Sequence, residues 1–347
     1  IGDDAFGYLK NLREIVVSKE NPHFEVSGKC LIDKTKNMVV IGLPGAKIPS
    51  TVTSIGVAAF QYRTDIEQLT LLPNITEIGE RAFANCTNIN YLSMSDNLKI
   101  IGKEAFKECE SLTRVTLGKG ITEVSEGAFK YCYSLGSVTM TNEVISLGKS
   151  AFRGCYSLKR VTFSDTLTTI GEDCFSDCSI LENVEIPKSV TEIGSGAFEY
   201  CKAIVSIAIP DGVKEISWLF HGCVNLEYVK LGAQLQTIGE SSFWDCVKLS
   251  DMVVPDGVTG IERSAFYNCA KLSSVKLPDD LTVIEDVAFF GCVSLTSIDF
   301  NAKLTTIKKA AFWNSGLTKV NIPDNVTTVE ARTFASCPIT SVRLPKN

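Results

Sequence analysis

Apolar positions along this chain follow two alternating rhythms, and the pair of rhythms repeats. Val115-Thr116-Leu117 alternates apolar and polar, the mark of a strand with one buried face. Past Gly118-Lys119-Gly120, Ile121 and Val124 stand three apart, and Ala128, Phe129 and Cys132 follow at helical spacing. That second rhythm predicts a short helical or 3₁₀ turn with its apolar side inward. One such unit cannot bury its own hydrophobic side, whereas stacked copies can.

The unit recurs through nearly the whole chain. Its phenylalanine returns at 60, 83, 106, 129, 152, 175, 198, 220, 243, 266, 289, 312 and 334, and the step is 23 residues except for steps of 22 from Phe198 to Phe220 and from Phe312 to Phe334. Phe6 belongs to the series but precedes Phe60 by 54 residues, so an insertion separates them. The predicted fold is an α/β-type solenoid with residues 1–347 as a single domain. It is right-handed, with one strand per repeat in one parallel β-sheet on the concave face and short helical or 3₁₀ turns on the convex side. The shortened repeat at Ser217-Trp218-Leu219-Phe220 is expected to carry an altered turn, with Trp218 and Leu219 replacing the usual small residue and alanine. In the insertion, about Ser18 to Lys47, the runs Cys30-Leu31-Ile32 and Met38-Val39-Val40-Ile41 flank a polar turn and predict a β-hairpin. It reads as an edge capping the early repeats, with a dedicated binding element as the alternative.

The consensus L-x-x-V-x-I-P-x-x-V-T-x-I-G-x-x-A-F-x-x-C, carried by thirteen in-phase copies, resembles the BspA-like class of leucine-rich repeats. The asparagine usual after the second strand leucine of such repeats is kept in only a few units (Asn74, Asn97, Asn325), so turn geometry is expected to carry the bend instead. The resemblance implies a secreted or surface protein with an adhesive role.

Composition narrows the picture. Apolar residues make up 45% of the 347, ample material for a core, and no apolar run approaches the ~20 residues that span a bilayer. A formal net charge of −6 argues against nucleic acid as a partner. The chain opens in mid-repeat at Ile1 and stops just after a strand, which reads as a trimmed or mature fragment. Eleven of the thirteen cysteines stand three places after the repeat phenylalanine; Cys30 and Cys174 do not. Disulfides fit poorly, because side chains in a parallel ladder point the same way and the total is odd. Zinc would need clustered ligands, and only Cys174 and Cys178 come near that. A column of small buried thiols is the expectation. Free thiols suit a buried array on a surface protein in an anaerobic niche, and equally a cytosolic protein.

No catalytic constellation can be assembled: the outward strand positions hold no histidine and only three acids, Glu185, Asp251 and Asp299, none in adjacent repeats. No cofactor or metal is expected. The same positions, rich in serine and threonine, carry the candidate concave-face contacts Tyr91, Arg114, Arg160, Tyr228, Lys230, Lys276, Lys319 and Arg343, a mild surplus of positive charge able to steer an acidic partner. The place after the repeat phenylalanine is polar or small in the early repeats. It then becomes His221, Trp244, Tyr267, Phe290 and Trp313 in five consecutive ones. Such a ribbon either covers the gaps between turns or forms an apolar contact strip for a protein, a sugar or a second copy. The function expected is non-catalytic recognition or adhesion through the solenoid surface, with a host or neighbouring-cell surface protein as partner and no direct insertion into a membrane. A rigid spacer or self-associating scaffold is the alternative.

Overall fold

The computed structural model describes residues 1–2, 5–9 and 11–346, and they divide into two compact units, residues 1–167 and 168–347. Both are parallel-stranded stacks of the 23-residue repeat. The expected helical turns are absent, for no described residue is helical, so the chain is all strand and turn rather than α/β.

Each standard repeat contributes two strands, not one. In the first unit, Arg114–Thr116, Ser137–Thr139 and Arg160–Thr162 pair in parallel, in register, one repeat on (Arg114 with Ser137, Ser137 with Arg160). Nine residues past Arg114, Glu123–Val124 pairs with Ser146–Leu147 in a second ladder of two-residue strands. The second unit repeats the plan. Ser206–Ala208 pairs with Tyr228–Lys230, Asp251–Val253 with Ser274–Lys276, and Lys319–Asn321 with Ser341–Arg343. Its two-residue ladder runs from Glu215–Ile216 to Thr328–Val329 through six strands. The single sheet expected from sequence is therefore replaced by two rows of strands per repeat stack, each row broken into shorter sheets. Residues 183–185 and 297–299, expected as strands, form none. At the first of these Asn183 takes φ +51°, outside extended backbone.

The turn explains the missing helix. Ala128 N–H donates to the Ser125 carbonyl (3.2 Å), Lys130 N–H to that of Gly127 (3.0 Å) and Cys132 N–H to that of Phe129 (3.3 Å), closing three local turns. The intervening donors Gly127, Phe129 and Tyr131 reach carbonyls of the next repeat, those of Lys149, Ala151 and Arg153, at 2.8–2.9 Å. A helix would direct every N–H back along its own axis; here alternate ones are spent holding the stack together. Gly127 and Tyr131, third in their turns, both take φ +61°, as a type II turn demands.

Inside, the repeat phenylalanines stack. From Phe60 to Phe152 the ring centroids are 5.1–5.5 Å apart with planes within 6°. In the second unit Phe243, Phe266, Phe289 and Phe312 stack at 5.1–5.2 Å. At the shortened repeat the gap from Phe198 to Phe220 widens to 6.2 Å. There Trp218 takes the left-handed position (φ +53°) and Leu219 fills the buried alanine slot. The altered turn expected from the sequence is present.

The insertion is a three-stranded antiparallel meander, β1 (Phe24–Ser27), β2 (Cys30–Asp33) and β3 (Met38–Gly42), one strand more than the expected hairpin. β3 then pairs in parallel with β4 (Ser54–Ile55), the start of the first unit's two-residue ladder. The meander thus covers that ladder's edge, which is the capping role.

Candidate functional site

In the three-residue strands the central residue is buried in nearly every case and its neighbours face solvent, as at Tyr228-Val229-Lys230. All eight sequence candidates on this face, Tyr91, Arg114 and Arg160 in the first unit and Tyr228, Lys230, Lys276, Lys319 and Arg343 in the second, are exposed. Arg343 is already paired, its guanidinium 2.9 Å from Asp324. Among the described residues the other five basic side chains enter no ion pair.

Tyr228 is the centre of the richest stretch. The residue is 59% exposed, and Val253, 64% exposed, lies on the next strand of this face. Tyr228 and Lys230 line two open hollows at once. One, of about 460 Å³, is bordered by Asn183, Glu185, Ser206 and Ala208. The other, of about 380 Å³, is bordered by Asp211, Asp251, Val253 and Pro255. Register places Ala208 beside Lys230 and Val253 beside Lys276, so small or apolar residues alternate with unpaired lysines. In the first unit, Tyr91 (53% exposed) and Arg114 line a hollow of about 650 Å³ with Ser93, Asp96 and Ser137.

The five rings expected as a ribbon do come together, but none is fully exposed. His221 and Trp244 are 5.4 Å apart, Trp244 and Tyr267 4.6 Å, Tyr267 and Phe290 4.6 Å, and Phe290 and Trp313 5.6 Å. Each is half-buried, because each ring covers the next. Trp218, brought out by the shortened turn, joins at 5.1 Å from His221 and 6.2 Å from Trp244. Both ends of the row meet charge. His221 Nδ1 lies 2.8 Å from Glu199 Oε1, and the Arg332 guanidinium sits 5.3 Å over the Trp313 ring.

Ser176 Oγ lies 3.4 Å from Glu199 Oε2, making a chain of Ser176, Glu199 and His221. The carboxylate stands between hydroxyl and imidazole, so His221 is not placed to take the serine proton and no nucleophile–base pair results. Among the described residues no group of three His, Cys, Asp or Glu side chains could hold a metal ion, and no helix is long and apolar enough to cross a membrane.

All thirteen cysteines are free thiols, and all but Cys337 are buried. Burial pushes the Cys86 thiol up to about 12 and the Cys30 thiol up to about 11. The in-register thiols also have a partner that sequence did not reveal: Cys109 Sγ donates to the Phe83 carbonyl and Cys132 Sγ to that of Phe106, both at 3.3 Å.

Sequence reasoning missed a second aromatic group. Tyr133 and Tyr156 stack 5.4 Å apart, with Tyr131 6.1 Å from Tyr133. Tyr133 and Tyr156 follow consecutive repeat cysteines, and that column was the signal that could have found them.

This architecture has known counterparts. A family model described as a BspA type leucine rich repeat region, in six copies, matches residues 40–158, 122–250 and 236–347. The chain is similar to a leucine-rich repeat protein from Bacteroides ovatus of known crystal structure, with 26% identity over 96% of this chain and 95% of that one, and a TM-score of 0.71. It is also similar to a leucine rich cell surface protein from Faecalibacterium prausnitzii, with 26% identity over 93% of this chain and 86% of that one, and a TM-score of 0.50. A leucine-rich repeat protein from Eubacterium ventriosum shares the fold at 24% identity over 78% and 82% of the two chains, with a TM-score of 0.52. Comparison with curated proteins yields no match.

Proposed function

Because the chain belongs to the BspA-type leucine-rich-repeat family, we propose that it is a non-catalytic recognition module, extracellular or displayed at a cell surface, that binds a protein partner through the exposed face of its three-residue ladder. Residues 1–347 form one repeat domain in this reading, since the 23-residue step passes unchanged from Phe152 to Phe175. The observation that carries the proposal is the Tyr228 stretch: an exposed aromatic between two hollows, next to an exposed valine and two unpaired lysines. Interfaces concentrate their energy in such aromatic anchors, and a rigid ladder loses little entropy on binding. Lys230 and Lys276 favour a partner surface bearing carboxylates, which makes association faster at low salt.

The test is binding of the purified protein to cultured epithelial cells, compared with Tyr228→Ala and Val253→Asp variants. The reading expects at least a tenfold loss in both variants, with the thermal midpoint unchanged. Equal binding by all three proteins would overturn it. The second reading, a self-associating scaffold, draws on the half-buried row of rings from Trp244 to Trp313. It predicts dimers or larger species in sedimentation that Trp244→Ser and Trp313→Ser abolish.

A further inference from the structure

A second interaction surface lies in the first unit, on the turn side of the repeat rather than on the ladder face. Its residues come from two columns flanking the repeat cysteine: Glu108 and Tyr131 before it, Glu110, Tyr133 and Tyr156 after it. The left-handed position equivalent to Tyr131 in the next repeat is Gly154, and a Cβ there would stand 2.4 Å from the Tyr131 ring. Glycine therefore leaves the space in which Tyr131 lies, and three tyrosines gather where most repeats show none. Tyr133 is 37% and Tyr156 49% exposed, and their planes lie within 10° of each other.

Charge is placed beside these rings. Glu110 is exposed and, among the described residues, enters no ion pair. Glu108 accepts a hydrogen bond from Asn85. Partial burial, and then the nearby carboxylates of Glu108 and Glu110, push the Tyr133 hydroxyl above its ordinary range. One ring of the group already takes a cation, for Lys130 Nζ sits 5.1 Å over Tyr131. Among the described residues no cation lies over Tyr133 or Tyr156.

We infer that this patch binds an arginine side chain presented by a protein partner, the guanidinium lying on the Tyr133 and Tyr156 rings and pairing with the Glu110 carboxylate. A guanidinium suits both halves of the site, since it stacks on aromatic faces and forks onto a carboxylate. Lysine offers the charge without the plane. A neutral sugar would use the rings and donate hydroxyls to the carboxylate, but it would leave the Glu110 charge without a counter-charge. The partner's sign is opposite to that expected at Tyr228, so the two surfaces can fail independently.

The probe is penta-arginine, titrated calorimetrically into the full chain at 150 mM salt, with penta-lysine, penta-glutamate and maltohexaose as controls. Penta-arginine should bind several-fold more tightly than penta-lysine, and penta-glutamate not at all. The chain's net charge of −6 attracts any cation weakly, so the deciding variant keeps charge and removes rings. Tyr133→Ala/Tyr156→Ala should weaken penta-arginine binding at least tenfold, and Glu110→Gln several-fold. If the alanine pair disturbs folding, as read by the thermal midpoint, Tyr133→Leu/Tyr156→Leu keeps the apolar bulk and gives the same readout. Undiminished binding by the ring-less variant would overturn the proposal. So would maltohexaose binding in place of penta-arginine, which would assign the rings to a sugar.

Discussion

The thiol of Cys155 donates to the carbonyl of Phe129, 3.3 Å away and one repeat back in the stack. That carbonyl also accepts the Cys132 N–H within its own turn, so the thiol takes up the second lone pair of a buried oxygen. The cysteine column is therefore part of the hydrogen bonding between repeats as well as filler behind the phenylalanines. Because burial holds these thiols protonated at neutral pH, the native protein should react with alkylating reagents at Cys337 at most. After denaturation without reductant, thiol titration should return close to the full thirteen. A count near one would mean six disulfides.

The same contact revises the expected effect of serine. Without an acceptor, Cys155→Ser would bury an unpaired hydroxyl and cost ~1–3 kcal/mol. The Phe129 carbonyl is the available acceptor, and a hydroxyl is already tolerated, buried, in the equivalent slot at Ser315, where its Oγ lies 3.2 Å from Cys337 Sγ. Cys155→Ser should cost about 1 kcal/mol and no more than Cys155→Ala, which loses the bond together with the sulfur's volume. Urea unfolding midpoints decide it: a serine variant weaker than the alanine one would show that the hydroxyl does not reach the carbonyl.

Glycine at the left-handed positions acts in two separable ways. Gly291 (φ +74°) has only ordinary van der Waals space where a Cβ would go, so Gly291→Ala should cost about 1 kcal/mol for the backbone alone. Gly222 (φ +72°) faces the Tyr200 ring, 2.3 Å from where a Cβ would stand. Gly222→Ala should cost more, about 2–3 kcal/mol. Adding Tyr200→Ala to Gly222→Ala should bring back part of that excess. No recovery in the double variant would place the strain in the backbone and not in the ring.

These turns mark the border of what the sequence makes legible. The phenylalanine and cysteine columns, the three-residue strands and the shortened turn at Trp218 all leave a periodic side-chain trace. The second ladder does not, because a strand as short as Glu123–Val124 cannot show alternation and merges into helical spacing. Left-handed backbone is equally hidden where it falls on Tyr131, Ser150 or Val287 in place of glycine. At the candidate site, the chain order gave the outward residues around Tyr228 and the row from His221 to Trp313. It could not give the hollows, which depend on how neighbouring strands lie, nor the degree to which each ring of the row covers the next. Tyr133 and Tyr156 share the column after the repeat cysteine and were legible there, whereas Tyr131 stands in the column before it and joins them only in space.

The meander's turn should respond to acid. Asp33 accepts hydrogen bonds from the Thr35 hydroxyl (2.6 Å) and from the Thr35 and Lys36 N–H groups (2.9 and 3.2 Å). These bonds, the Thr35 hydroxyl foremost, hold its carboxyl below the usual aspartate range. A folded-state value below the unfolded one contributes stability above about pH 4, and that contribution is lost as pH falls through the folded value. Hydrogen exchange in residues 24–42 should therefore speed up between pH 4 and 2 more in the wild type than in Asp33→Asn, once intrinsic exchange is corrected. Identical pH profiles for the two proteins would remove Asp33 from the account.

The row of rings in the second unit sets packing against contact. Had Trp244, Phe290 and Trp313 been fully exposed, Trp244→Ser would be expected to leave the thermal midpoint nearly unmoved. The structure shows Trp244 half-buried, with His221, Trp218 and Tyr267 all within 6.2 Å. Removing it uncovers three rings at once, so Trp244→Ser should cost about 1–3 kcal/mol from lost apolar burial and ring contacts. Trp313, at the end of the row, touches Phe290 edge-on, lies under Arg332 and donates from Nε1 to Ser336 Oγ at 3.2 Å. Its removal uncovers one ring rather than three, and Trp313→Ser should cost less than Trp244→Ser. Trp244→Phe, which keeps a ring in the row, should restore most of the midpoint. The reverse pattern, with midpoints unmoved in both serine variants and sedimentation showing lost association, would make the row a contact surface between copies and favour the scaffold reading over recognition at Tyr228.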